Sequence, residues 1–141
     1  MSIERTLFIV KPDGVSRGLT GKILAHVESQ GFRLAEARLG RITAEDAKEF
    51  YAEHATKPFF ADLVQYMTSG PVLLTCLEKE GAVATLREVV GATDPAQAAP
   101  GTIRKLYGES KQMNSVHASD SVPSAQRELA IFFGSGKAAT R

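Results

Sequence analysis

Apolar positions along the chain fall into three spacings, and each predicts an element. Thr6-Leu7-Phe8-Ile9-Val10 is an unbroken apolar and β-branched run stopped by Lys11-Pro12-Asp13-Gly14, the pattern of a strand buried on both faces and ended by a turn. Val72 to Leu77, after Gly70-Pro71, repeats it, and Leu129-Ala130-Ile131-Phe132-Phe133 reads as the last strand, with Glu128 as its first residue. Between Arg33 and Ile42 the pattern alternates instead, with Ala35, Ala37 and Leu39 on one side and Glu36 and Arg38 on the other, which predicts a half-exposed edge strand.

Helical spacing marks the remaining segments. Ile23, Leu24 and Val27 share a face between a capping Thr20 and a stop at Gly31. Thr43-Ala44-Glu45-Asp46 has the form of a capping box opening a helix with Ala47, Phe50 and Tyr51 on one side. Lys57-Pro58 starts another, in which Phe60, Leu63, Val64 and Met67 follow the i, i+3, i+4, i+7 rule. Val83, Leu86 and Val90 continue the series after Gly81, and Ser124 to Glu128 gives a short helix. Gly91 to Thr102 is a long loop, of a length that is functional when ordered.

With the extra helices set aside the order is β-α-β-β-α-β. The expected fold is therefore α+β, a ferredoxin-like split β-α-β with a four-stranded, mostly antiparallel sheet covered by helices. In that topology the first and last strands are antiparallel neighbours in the middle of the sheet, which brings Lys11, at the end of one, near Glu128, at the start of the other.

Composition narrows the function. The 141 residues suit a single domain spanning 1–141, with 135–141 expected as a flexible tail. A formal net charge of +1 supplies no whole-molecule field for nucleic acid or anionic membrane, so an anion site must be local. One cysteine, Cys76, within an apolar run, excludes a disulfide framework and predicts a buried thiol in a reducing, cytoplasmic setting. No leader opens the chain and no apolar stretch approaches the ~20 residues of a membrane helix, so a soluble protein is expected. His26, His54 and His117 lack zinc spacing, and no protein-built metal site is expected. Gly134-Ser135-Gly136-Lys137-Ala138-Ala139 matches a dinucleotide fingerprint in form, but only two residues follow it, too few for the helix that would carry a pyrophosphate.

The richest chemistry lies in Asn114-Ser115-Val116-His117-Ala118-Ser119-Asp120. An imidazole with an unperturbed pKa of roughly 6.5 is a nucleophile partly neutral at physiological pH, and it attacks when one ring nitrogen is held and the other is open. Small polar neighbours can hold it; equally, such residues cluster in turns for backbone reasons. Elsewhere the same two readings stand side by side. Lys11 is solvated at its strand end or presents charge to a ligand, Tyr51 is core with its hydroxyl at the rim, Arg87 covers apolar surface with its stem or reaches a neighbouring site, and Phe59, off its helix stripe, is an ordinary exposed aromatic or a stacking platform.

Asn114, His117, Ala118, Ser119 and Asp120, in that order and spacing, resemble the active-site signature of the nucleoside diphosphate kinase family. The resemblance extends through Lys11-Pro12-Asp13-Gly14, Lys57-Pro58-Phe59-Phe60, Ser69-Gly70-Pro71, Gly91-Ala92-Thr93-Asp94-Pro95 and Pro100-Gly101-Thr102-Ile103-Arg104. It implies transfer of the γ-phosphate of a nucleoside triphosphate to a nucleoside diphosphate by a ping-pong route, with His117 as nucleophile and Glu128 and Ser119 orienting it. It implies that Lys11, Tyr51, Arg87, Thr93, Arg104 and Asn114 contact phosphates and sugar, that Phe59 stacks on the base, that Mg2+ arrives with the nucleotide phosphates, and that the chain forms homo-oligomers, tetramers or hexamers built from a dimer. The edge strand is the candidate dimer edge.

Three positions depart from the family pattern: Ala118 in place of glycine, Asp94 in place of asparagine and Leu106 in place of aspartate. Asp94 would set a negative charge beside the phosphates and weaken nucleotide binding modestly. The alternative function is a ferredoxin-like module that binds a nucleotide or nucleic acid without catalysis. An RNA-reading sheet carries an aromatic strand signature and a basic surface, and the chain has neither.

Overall fold

The computed structural model describes residues 3–134. Four strands, β1 (Ile3–Val10), β2 (Arg33–Gly40), β3 (Val72–Glu80) and β4 (Val116–Ala118), form one sheet in the order β2-β3-β1-β4. Every neighbouring pair is antiparallel. Seven α-helices join them: α1 (Pro12–Ser16), α2 (Thr20–Ser29), α3 (Ala44–Phe50), α4 (Phe60–Met67), α5 (Ala82–Val90), α6 (Ile103–Tyr107) and α7 (Val122–Phe133). The α+β, ferredoxin-like arrangement expected from the pattern is the one observed, and β2 is an edge strand as predicted. No helix among the described residues is long and apolar enough to cross a membrane.

Because side chains alternate along β1, the sheet buries two separate cores. Phe8 and Val10 pack with Ile23, Val27, Leu77, Leu86, Ile103 and Val116 beneath α2, α5 and α6. Leu7 and Ile9 pack with Ala47, Phe50, Val64, Met67, Ile131 and Phe132 beneath α3, α4 and α7. Thr43 caps α3, its hydroxyl accepting from the Asp46 amide at 3.0 Å as its capping-box spacing predicts. The cap expected from Thr20 is absent: α2 is preceded by Leu19, with no side-chain cap.

The chain's end corrects the sequence reading. Leu129 to Phe133 is the last part of α7, not a strand, and Glu128 lies within that helix. A short apolar run is compatible with either element by periodicity alone; what decides is the buried stripe Ala125, Glu128, Ile131 and Phe132, which has helical spacing. Ser121 starts the helix, accepting from the Ser124 amide at 3.1 Å, with proline just inside. Among the described residues the last strand is β4, three residues at the sheet edge with His117 in the middle, so the first and last strands are neighbours beside an edge and not in the sheet's centre. Also unanticipated were α1 and α6, five residues each. The tail at 135–141 and most of the Gly-Ser-Gly match lie outside the described residues.

Candidate active site

His117 pairs with Ile9 across β1 and β4, so its side chain stands on the face occupied by α3, α4 and α7. There Glu128, one charged residue within an otherwise apolar helix stripe, meets it: Glu128 Oε1 lies 2.9 Å from His117 Nε2 and accepts from Ser119 Oγ at 2.7 Å. Phe50 closes the other flank edge-on, its ring centroid 4.8 Å from the imidazole and the planes at 78°. The heptapeptide is no solvent-facing turn, since Asn114, Ser115, Val116, Ala118 and Ser119 are all buried. Burial holds the His117 pKa below its ordinary value, against the opposing pull of the Glu128 carboxylate.

A cavity of about 420 Å³ opens beside β4, where the two helix layers meet. Nine of the ten residues singled out above line it: Lys11, Tyr51, Phe59, Arg87, Thr93, Arg104, Asn114, His117 and Glu128. Ser119 stands behind, buried, and reaches the site through Glu128. They come from the end of β1, the segments after α3 and before α4, the α5 surface, the long loop, α6, β4 and α7. Chain order gives no hint of that convergence.

Positive charge gathers at one end. Lys11 Nζ donates to Asn114 Oδ1 at 3.0 Å, and Asn114 Nδ2 in turn donates to the carbonyls of Thr93 and Lys111 at 3.0 and 2.9 Å. Arg104 is anchored by the carbonyls of Gly91 and Val116, at 3.1 and 2.9 Å, while its buried Nε has no protein partner. Burial, then the neighbouring Arg104 charge, brings the Lys11 pKa down to about 8, and burial with the nearby Arg87 brings Arg104 to about 10. Crowded, partly desolvated cations of this kind form a cradle for an anion. At the mouth, Phe59 is 45% exposed, with the His54 ring 5.6 Å away.

These features describe a cluster of cations beside a held imidazole, and the comparisons give it a family. The model of the nucleoside diphosphate kinase family matches residues 4–138. The chain belongs to the nucleoside diphosphate kinase family. The nucleoside diphosphate kinase of Rhodospirillum centenum is 54% identical over 133 residues, covering 94% of this chain and 95% of that one. Among solved structures, the Aquifex aeolicus nucleoside diphosphate kinase superposes with a TM-score of 0.91 at 45% identity, covering 94% of this chain and 96% of the other. The halophilic enzyme from Halobacterium salinarum, solved in complex with CDP, superposes at 0.90 with 46% identity, covering 94% and 88%. This family member is thus an enzyme, a phosphotransferase of the nucleoside diphosphate kinase kind.

Several wall residues were not picked out by sequence. Phe50 read only as core, Glu53, His54 and Lys111 were given no role, and Asp120, in the signature, read only as a small polar neighbour able to hold the imidazole. Hydrogen bonding from Ser124 holds the Asp120 carboxyl below the usual range. Asp94 is not among the residues lining the cavity, although its neighbour Thr93 is; its carboxylate accepts from the Ala96 amide at 3.0 Å and caps a short 3-10 turn.

Proposed function

We propose that the chain passes the γ-phosphate of a nucleoside triphosphate to a nucleoside diphosphate through a phosphohistidine at His117. The observation that carries this is the 2.9 Å contact of Glu128 with His117 Nε2, which leaves Nδ1 as the attacking nitrogen. The Nδ1 lone pair forms the N–P bond as the bond from the γ-phosphorus to the β,γ-bridging oxygen breaks, and the diphosphate leaves with that electron pair. A terminal oxygen of the second diphosphate then attacks phosphorus, the N–P bond breaks, and the imidazole returns neutral. The Nε2 proton stays on the ring throughout, and the Glu128 carboxylate stabilises the positive charge that the ring acquires.

In this reading Lys11, Arg87 and Arg104 balance the charge on the equatorial oxygens. Tyr51, whose hydroxyl pKa is raised by burial and the Glu128 charge, remains a donor; with Thr93 and Asn114 it positions phosphate and sugar. Phe59 stacks on the base and accepts any base by its π-face. Among the described residues no group of three or more His, Cys, Asp or Glu side chains can hold a metal ion. Mg2+ arriving with the nucleotide would be held through phosphate oxygens and water, and Asp120 on the cavity wall would offer a carboxylate to such a water. Bound there, Mg2+ would neutralise phosphate charge. The exposed β2 edge, with Leu39 63% exposed, suits pairing with a second copy in a homo-oligomer. The buried single thiol of Cys76 suits a reducing, cytoplasmic setting.

The experiment is to incubate the protein with γ-labelled ATP, remove nucleotide and look for label, with His117→Ala alongside. Label stable to alkali, lost in acid, absent from the variant and discharged by GDP or CDP is expected. Folded wild-type protein that takes up no label would sink the reading.

A further inference from the structure

We propose that Arg127 is a positioning residue for the phosphate-accepting histidine, its guanidinium fixing both the Glu128 carboxylate and the Phe50 wall between which the imidazole is held. The inference rests on the phosphohistidine reading above and adds a residue to it.

Arg127 immediately precedes Glu128 on α7, and its fork reaches back across to α3. Nη1 donates to the Glu49 carbonyl at 3.1 Å and Nη2 to the Phe50 carbonyl at 3.2 Å. Both carbonyls belong to the last turn of α3, where helix carbonyls lack intrahelical partners and the dipole is negative. The same Nη2 stands 3.6 Å from Glu53 Oε1 and 3.9 Å from Glu128 Oε2. One side chain thus ties the wall carrying Phe50, Tyr51 and Glu53 to the helix carrying Glu128.

The consequence reaches His117 by two routes. Glu128 Oε1 is occupied by His117 and Ser119, and a carboxylate held at one oxygen alone can still rotate; Arg127 faces the second oxygen and opposes that rotation. Phe50 sets the imidazole plane by its edge contact, and Arg127 holds the Phe50 backbone. Arg127 also adds positive charge beside the His117–Glu128 pair. The other charged and titratable groups around that pair are Lys11 at the end of β1, Arg87 on α5, Arg104 on α6, Asp120 after β4, and Tyr51 and His54 after α3, with Glu53 facing Arg127 itself. With those unchanged, removing Arg127 lets the pair hold its protons more tightly, so neutral His117 appears only at higher pH. A purely structural clamp would change stability or nucleotide affinity and leave that pH dependence in place.

The test is rapid-quench labelling of His117 by γ-labelled ATP on the full chain, from about pH 5 to about pH 8.5, for wild type, Arg127→Gln and Arg127→Lys. In Arg127→Gln the labelling rate should fall roughly tenfold, and its acid limb should move up by roughly half a pH unit. In Arg127→Lys the limb should return to the wild-type position because the charge is restored. The labelling rate at saturating nucleotide should stay several-fold below wild type, because an ammonium does not reproduce the fork on two carbonyls. Wild-type rate and limb in a folded Arg127→Gln overturn the proposal, as does an Arg127→Lys limb displaced as far as that of Arg127→Gln. If Arg127→Gln does not fold, Arg127→Lys decides alone: a labelling rate at saturating nucleotide several-fold below wild type supports the proposal, and a wild-type saturating rate overturns it, whatever the KM. A wild type without label fails the phosphohistidine reading itself and this inference with it, whereas a labelled wild type with indifferent variants fails this inference alone.

Discussion

Lys11 and Asn114, separated by more than a hundred positions, are joined by a 3.0 Å hydrogen bond from Nζ to Oδ1 at the floor of the cavity. That ammonium is held against its environment, since burial and Arg104 bring its pKa from 10.5 to about 8. Between those two values the unfolded chain binds more protons than the folded one, so stability rises with pH there, and below about 8 the charged lysine costs stability. Lys11→Met should therefore raise the melting temperature at pH 7, by about 1–2 kcal/mol of stability, while phosphoryl transfer collapses. In the wild type the nucleotide KM should climb as pH passes about 8 and the cradle loses a charge. A flat KM from pH 7 to pH 9.5, or a less stable Lys11→Met, counts against this account of Lys11.

Glu128 offers a second prediction, because its carboxylate is an acceptor for two groups and, in the proposed mechanism, the counter-charge for a phosphorylated ring. Glu128→Gln keeps the shape and leaves an amide with a competing donor. Labelling of His117 should slow by roughly 10²-fold or more, with nucleotide KM little altered. Ser119→Ala removes only the 2.7 Å donor behind the carboxylate, and should cost about 1–2 kcal/mol in the same step. Single-turnover rates separate the two. Equal losses for both variants would mean that Ser119 does more than orient Glu128.

How much of this was legible in the sequence depended on how local the cause was. β1 and β3 announce themselves as unbroken apolar runs, and the α4 and α5 stripes repeat at helical spacing. α7 misled because its last five residues are as apolar as a strand, and the clue to its helicity, Glu128 in register with Ala125 and Phe132, looks like noise until Glu128 has a partner. β4 is three residues long and had no periodicity to read. The site residues carried by the family resemblance all converge, although Glu128 arrives from a helix. Phe50 and Arg127 carried no sequence signal: each acts through a neighbour in space, across the α3–α7 contact, which no spacing encodes.

Phe59 tests the proposed base-binding end by itself. It is exposed at the cavity mouth and makes no hydrogen bond that a substitution would break. Phe59→Ala should leave the fold intact and raise KM for adenine, guanine and cytosine nucleotides alike, by the roughly 1–3 kcal/mol that a stacked base contributes. Steady-state kinetics with the three substrates measure it. A loss confined to one base would show instead that the edge of the base is read, and would direct attention to His54, Glu53 and Lys111 around the same mouth.

Gly91, between α5 and the long loop, is a position where a single methyl group meets both a strained backbone and a neighbouring side chain. Its φ of +91° belongs to the region L side chains avoid, and a Cβ there would fall 2.6 Å from Thr102 Oγ1. Its carbonyl receives Arg104 Nη1 at 3.1 Å, so the same backbone that cannot accept a methyl also holds the Arg104 guanidinium on the cavity wall. Gly91→Ala should lower stability by about 1–3 kcal/mol and, because Arg104 then loses an anchor, raise nucleotide KM beyond what the lost stability explains. Thr102→Ser alongside it removes one of the clashing atoms, the Thr102 methyl, but leaves the positive φ. Partial recovery of the melting temperature in the double variant, measured by thermal unfolding, separates the steric part of the penalty from the conformational part. An alanine tolerated with unchanged melting temperature and KM would mean that the loop can redirect Arg104 freely, and the cradle would then be less preorganised than its hydrogen bonds indicate.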